Sequence, residues 1–409
     1  MLTDTGLAVL FHSIPSPTTE KTENLLYIYL YTGARKELYT DMKIICSKAD
    51  LAKGVGIVSK AVPSKTTMPI LECILIDATL DIIRLTANDM ELGIQTEIDG
   101  DIREHGMIAI DAKIFLEIVR KLPDSDIVIE TDEKDQMTIT CEKAKFDIMG
   151  RSGDDFSYLP VIEKTETVTI SQFTLKEVIR QTIFSIADNE SNKLMTGELF
   201  EIKDGVLRVV SLDGHRISIR KIELKEECQD HKIVVPGKTL MEISKILSGE
   251  AESQVSMYFT GNHIVFEFDR TVVVSRLIEG EYFKIDQMLS SDYETKVRIN
   301  KRDFLNCIDR ATLLVKEGDK KPIIINIGDD VMELRIKSQF GSMNEDIMIT
   351  KEGKDLMIGF NPKFLIDALR VIDDEEVDLY LMNAKAPCFI KDETESYIYL
   401  ILPVNFNAI

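Results

Sequence analysis

Three α+β domains of one design, each with two helices packed on mainly antiparallel sheet, are what this sequence predicts. Two observations carry the prediction. An amphipathic, charged helical pattern recurs three times, with its lysines Lys113, Lys238 and Lys363 spaced by 125 residues and again by 125. Around these copies, apolar and polar residues alternate with the period of two that half-buried strands require.

The repeats begin at Met42, where MKIICSKADL reads as a strand running into a helix. Residues 1–41 differ. They carry Pro15, Pro17, a Ser/Thr cluster and the segment LLYIYLY, without the basic start or small-residue cleavage site of a secretory signal. They are expected to be an extra N-terminal segment, disordered or upstream of the working start, with a docking arm as the alternative. The domains are then expected at residues 42–166, 167–293 and 294–409.

Each repeat opens with a helix: KADLAKGVGIVSKAV after Ser47, FTLKEVIRQTIFSIA from Phe173 and RDFLNCIDRATLLV from Arg302. Leu51, Leu175 and Phe304 align, at spacings of 124 and 129. TLDIIRLTAND, GVLRVVSLDGHR and DVMELRIKSQ are matching strands, each preceded by a short apolar run and a turn. The second helices lie in Ile110–Leu122, Val235–Leu247 and Phe360–Ile372. Asp111 and Asn361 sit where an N-cap belongs, and Pro362 takes the first helical position, which needs no donor. MTITCEKAKFDIMGR and HIVFEFDRTVVVSR read as hairpins with tight polar turns.

The second helices share a charge register. After each lysine comes an acid at plus four (Glu117, Glu242, Asp367) and a base at plus seven (Arg120, Lys245, Arg370). These positions fall within about 60° of one another around a helix and form one polar stripe. Apolar residues at plus two, plus three and plus nine (Phe115, Leu116, Leu122; Leu240, Met241, Leu247; Leu365, Ile366, Ile372) make the buried face. A single such stripe reads as a solvated face, with Lys–Glu pairs worth a few tenths of a kcal/mol. The same register in three repeats favours a shared function.

Composition bounds that function. The chain has 409 residues, 44% of them hydrophobic, and 49 basic against 70 acidic side chains for a net charge of −21. A length of this order accommodates two or three domains, and no run is apolar enough for a membrane span. At first sight the acidity argues against nucleic acid, whose binders usually carry a basic footprint. Cys46, Cys73, Cys141, Cys228, Cys307 and Cys388 form no CxxC pair and read as reduced thiols. No metal-ligand spacing, GxSxG, P-loop or GxGxxG is present, so neither a metal nor a cofactor is expected. The candidates for an enzyme would be Asp89, Asp213 with His215, and the run Asp373 to Glu376. Asp89 and Asp213 stand at equivalent repeat positions, 124 apart, which points to a shared turn role, and the run reads as a solvated loop.

The sequence resembles the β sliding clamps of bacterial DNA polymerase III from Met42 to the C-terminus. The resemblance is carried by TMPIL (Thr67 to Leu71), LTANDMEL (Leu85 to Leu92), LDGHRISI (Leu212 to Ile219), IVVPGK (Ile233 to Lys238), SRLIEGEY (Ser275 to Tyr282), IGFNPKFL (Ile358 to Leu365) and the ending YLILPV. It implies a head-to-tail dimeric ring of six sliding-clamp domains, helices lining the hole and sheets forming the rim. Such a homodimer encircles double-stranded DNA without reading sequence. It tethers the replicative polymerase, the clamp loader and other client proteins, catalyses nothing, and resides in the cytoplasm away from membranes. The alternatives are a protein-binding repeat scaffold without DNA and, less favoured, a metal-dependent nuclease.

The resemblance also assigns residues. Lys113, Arg120, Lys238, Lys245, Lys363 and Arg370 would face phosphates in the hole, joined by Lys65 before TMPIL and Lys193 before MTGELF, where the family often has an aromatic. The acidity would then lie mostly elsewhere. A client-peptide cleft would be formed by Met195, Leu212, Gly214, His215, Arg216 and Ile217, with Phe283, Met288, Leu400, Ile401, Leu402, Pro403 and Val404. Phe283 stands where many members have proline, and the tail VNFNAI after Pro403 lacks the usual basic residue near Asn405. Phe146 and Ile148 against Leu313 and Leu314 would form the dimer interface, with core packing as the alternative.

Overall fold

A computed structural model describes residues 41–164, 167–188, 192–226, 228–289, 292–315 and 321–406. The expectation for residues 1–41 falls, except for Asp41, outside the described residues. The chain divides into two compact units, one built from residues up to Asn88 together with Gln95–Tyr158, the other from Asp89–Ile94 together with Leu159–Ile409.

The first unit holds helices α1 (Lys48–Val58) and α2 (Ala112–Lys121), packed side by side. Ser47 and Asp111 end strands and begin helices in the same step. The Ser47 hydroxyl accepts the Asp50 N–H at 3.0 Å, and the Asp111 carboxylate accepts that of Ile114 at 2.8 Å. Each satisfies a donor that the first turn leaves over. Leu51, Val55, Phe115 and Val119 point inward. An antiparallel sheet runs in the order Asp101–Glu104, Lys43–Ser47, Asp126–Thr131, Gln136–Cys141, Ala144–Met149. Ala144–Met149 is its edge strand.

The second unit contains the other two repeats, with α3 (Gln172–Thr182), α4 (Gly237–Ile246), α5 (Lys301–Thr312) and α6 (Pro362–Val371). Ser171, Asn300 and Asn361 cap α3, α5 and α6 through their side chains. Helices pack in the pairs α3 with α4 and α5 with α6. The strands of the two repeats join where Arg216–Glu223 pairs antiparallel with Tyr397–Ile401, Arg216 opposite Ile401 and Arg220 opposite Tyr397. Second-repeat strands Val206–Leu212, Gly197–Lys203 and His231–Pro236 extend that sheet on one side. Third-repeat strands extend it on the other and end at Leu356–Phe360.

Two details differ from the sequence pattern. The plus-three position of the second helices is not uniformly buried: Ile366 is, Leu116 is half-buried and Met241 is exposed. The 13-residue strand Gly341–Gly353 has too polar a face to stand out from its sequence.

Glu198, on Gly197–Lys203, is fully buried and neither carboxyl oxygen makes a hydrogen bond. Burial pushes its pKa up to about 8, the nearby Thr182 hydroxyl donating to the Val178 carbonyl at 2.7 Å and not to the carboxyl. The folded chain therefore keeps a proton that the unfolded chain releases above a pH of about 4.3. Stability should fall as pH rises from there toward 8, by at most about 1.4 kcal/mol per pH unit, the slope of one proton. Urea unfolding of the wild type and of Glu198→Gln across pH 5 to 8 checks this. The variant should show the flatter profile.

Candidate functional site

The Asp213–Gly214–His215 turn positions the site. Asp213 accepts the N–H groups of His215 at 2.9 Å and Arg216 at 3.2 Å. Gly214 takes φ +85°, a left-handed conformation that glycine adopts without steric cost. The turn delivers Arg216 and Ile217 to the joint with the C-terminal strand. Beyond that strand, the Leu402 N–H donates to the His215 carbonyl at 2.9 Å.

An apolar cluster lies over this joint. Leu212, Ile217 and Leu400 are buried with Tyr282, Ile285 and Phe389, and Met195, Phe283, Leu194 and Leu289 pack against them half-buried. The Tyr282 hydroxyl donates to the Val210 carbonyl at 3.3 Å, so the ring is fixed at both ends. Met288 closes the short turn Ile285–Gln287 and is 45% exposed, Leu402 is 37% exposed, and Pro403 and Val404 are half-buried. A buried floor and an exposed apolar rim suit a short amphipathic peptide.

Two of the expected cleft residues point elsewhere. Ile401 faces the opposite side of its strand from Leu400 and packs in the third-domain core, as the period of two requires. Arg216 is buried beneath the joint. Its guanidinium pairs with Asp213 at 3.0 Å and Asp367 at 2.7 Å, donates to the Phe184 carbonyl at 2.5 Å, and lies between the rings of Phe184 and Phe364 at 5.4 and 4.6 Å. His215 stacks on the outer neighbour, Phe364, at 6.0 Å.

The basic positions are all exposed: Lys113 and Arg120 on α2, Lys238 and Lys245 on α4, Lys363 and Arg370 on α6, Lys65 in a loop and Lys193 at the start of the short 3-10 turn Lys193–Thr196. Their acids differ. Glu117 lies 3.5 Å from Arg120 and 3.4 Å from Lys121, and Glu242 lies 2.8 Å from Lys245. Asp367 was expected in the same role but is drawn away from its stripe by Arg216. Lys238 pairs with Asp89, and Arg370 lies 3.4 Å from Asp309.

Of the interface candidates, Leu313 is 81% exposed just past α5, whereas Leu314 packs on the third-domain core. Phe146 is 39% exposed on the edge strand Ala144–Met149 and Ile148 is half-buried there. Phe146 lines an open apolar hollow with Ile114 and Ile118 of α2. Those isoleucines went unnoticed in the sequence, although their position on the lysine side of an amphipathic helix was a usable signal.

The carboxylates considered for catalysis have structural partners. Asp89 accepts the N–H groups of Glu91 and Leu92 at 3.0 and 2.7 Å, the same turn role as Asp213. In the acidic run, expected to be merely solvated, Asp373 pairs with Arg180 at 3.0 Å and Asp374 accepts the Tyr397 hydroxyl at 2.7 Å. Among the described residues no group of three His, Cys, Asp or Glu side chains is placed to hold a metal ion, and no helix is long and apolar enough to cross a membrane.

Comparison with known proteins places these features in a family. Residues 42–160, 169–284 and 286–405 match the N-terminal, central and C-terminal domains of the DNA polymerase III beta subunit. The β sliding clamp of Staphylococcus epidermidis is 33% identical over 356 residues, 84% of this chain and 94% of that protein. Two crystal structures, each covered completely, superpose with a TM-score of 0.87. One is a putative DNA polymerase III beta subunit of Eubacterium rectale, 73% identical over 89% of this chain, and the other the DNA polymerase sliding clamp of Bacillus subtilis, 32% identical over 90%. The chain belongs to the DNA polymerase III beta subunit family, the β sliding clamps. Its function is that of a processivity clamp for a DNA polymerase, with no catalytic step of its own.

Proposed function

We propose that two copies of this chain close head to tail into a ring around duplex DNA, in the cytoplasm, and that the ring holds the replicative polymerase, the clamp loader and other clients by their peptides. Tethering raises the client's effective concentration at the primer end, so that a dissociated polymerase rebinds before it escapes. The observation that carries the reading is the recurrence of exposed bases at one register of α2, α4 and α6. Contacts made to phosphates carry no sequence information, which is what sliding requires.

The three helix faces are proposed to line the hole, with Lys65 and Lys193 as outlying contacts. Glu117 and Glu242 hold neighbouring bases in ion pairs and soften the grip. Replacing Lys113, Lys238 and Lys363 together by alanine should flatten the salt dependence of DNA retention, since each phosphate neutralised contributes about 0.9 to the slope of log affinity against log salt. The wild-type ring should stay on circular DNA after loading and slide off linear DNA. An unchanged slope, or equal retention on both forms, would remove the stripe from the mechanism.

The apolar surface over the domain joint is proposed as the client-peptide cleft, with Met195, Leu212, Ile217, Phe283, Met288, Leu400, Leu402, Pro403 and Val404 as its walls and Gly214 with His215 at its mouth. The dimer contact is proposed to set Leu313 of one chain against the hollow of Ile114, Ile118 and Phe146 of the other, with the edge strand beside it open to a partner strand. The two sites should separate by mutation. Met288→Ala with Pro403→Ala should lose binding of a glutamine-bearing apolar peptide and remain a dimer by light scattering. Leu313→Asp should become monomeric and still bind the peptide. Loss of both properties in either variant would show that the sites are not distinct.

A further inference from the structure

The tail after the C-terminal strand bridges two domains. The Leu402 N–H is held by the His215 carbonyl at 2.9 Å, and the Val404 N–H by the Gly359 carbonyl at 2.8 Å. Gly359 lies on Leu356–Phe360, the last strand of its sheet, whose outer edge is otherwise unpaired within that sheet. Between the two anchors stands only Pro403, which has a fixed φ and no N–H to offer.

Phe406 secures the second anchor. A Cβ on Gly359 would lie 2.6 Å from Phe406 Cδ1 and 3.0 Å from the Val404 carbonyl oxygen, so the ring is seated where the strand has no side chain. The same ring borders a cavity of 280 Å³ with Ile324, Met343, Met357 and the stem of Arg335. Gly359 is buried and Val404 half-buried, so this edge hydrogen bond is held where little water can compete for its partners. Phe406, two residues on, supplies the apolar cover at this point.

We propose that Phe406 is a positioning residue of the peptide cleft: seated on Gly359, it holds Leu402, Pro403 and Val404 in their peptide-accepting arrangement. The proposal rests on the reading of that surface as the client cleft. Phe406 need not touch the peptide. It removes the ordering of the wall from the cost of binding. In this chain it takes over the end of a tail in which a basic residue would otherwise be expected near Asn405.

The test uses the full chain and a synthetic fluorescent peptide carrying a glutamine followed by apolar residues. Phe406→Ala should weaken binding about five- to tenfold, a size set by the ordering of a few side chains. It should also speed hydrogen exchange at the Val404 amide while leaving the melting temperature of the ring in place. Phe406→Tyr should restore both. Gly359→Ala, whose methyl group would crowd both the ring and the Val404 carbonyl oxygen, should weaken binding at least as much as Phe406→Ala. Should Phe406→Ala fail to fold, Gly359→Ala carries the same expectation. Wild-type affinity in either variant would overturn the role of Phe406. A wild-type chain that does not bind the peptide would instead overturn the cleft.

Discussion

The burial of one guanidinium governs the second unit. Arg216 cannot shed its charge, and placing it under the sheet is tolerable only because every side of it is answered. Two carboxylates and a carbonyl take its donors, and two rings cover its faces. These partners come from three places: the Asp213 turn, the segment after α3 that carries Phe184, and helix α6. The second and third domains are thereby fixed through their side chains at the point where their strands already pair. A cleft made from both domains needs such a joint, since a wall that shifted by an ångström would no longer match one peptide.

The same ion pair alters the charge on α6. By sequence, Lys363, Asp367 and Arg370 repeat the pattern of α2 and α4, a base, an acid and a base on one face. In the structure Asp367 is spent on Arg216, so Lys363 loses its internal counter-charge, while Arg370 finds Asp309 on α5. A net charge of −21 is therefore no guide to any single surface. The acids are engaged where the fold requires them: Asp89 and Asp213 inside turns, Asp373 on Arg180, Asp374 on a tyrosine. Bases left exposed at one helical register give a local field opposite in sign to the whole.

Much of this was legible in the sequence, and what was not has more than one cause. Periodicity and caps act within a few residues, so the six helices, the Asp111 and Asn361 caps and the paired turns at Asp89 and Asp213 could be read directly. The three-domain plan followed from the repeat. Side-chain direction at a junction depends on what another domain places there, and no local signal carries it. Arg216 was expected to face the cleft with His215, and Ile401 with Leu400. The first is drawn inward by Asp367, distant in sequence. The second follows the alternation of its own strand into the third-domain core, a local signal that the sequence did carry. Ile114, exposed, and Ile118, half-buried, were hidden for another reason: a helix with apolar residues on a wide arc looks like core.

The repeat supplies one more step, concerning how the ring closes. At the joint between the second and third domains, Phe184 just beyond α3 and Phe364 at the start of α6 flank Arg216. The alignment of Leu175 with Phe304 carries Phe184 to Leu313, and that of Lys363 with Lys113 carries Phe364 to Ile114. Both counterparts are exposed, Leu313 by 81% and Ile114 by 50%. In a head-to-tail ring the domain that follows the third is the first domain of a second chain, so the two exposed residues are where the internal joint would be repeated. The repetition is incomplete in an informative way. The alignment of Val206 with Val331 sets Gly341 where Arg216 would stand, so a joint repeated at that register would have no counterpart of this guanidinium. Breaking a buried ion pair costs about 3–5 kcal/mol because a charge is left unanswered, whereas an apolar contact re-forms with nothing stranded. A joint without such a charge to strand would part and close again more readily than the one inside the chain.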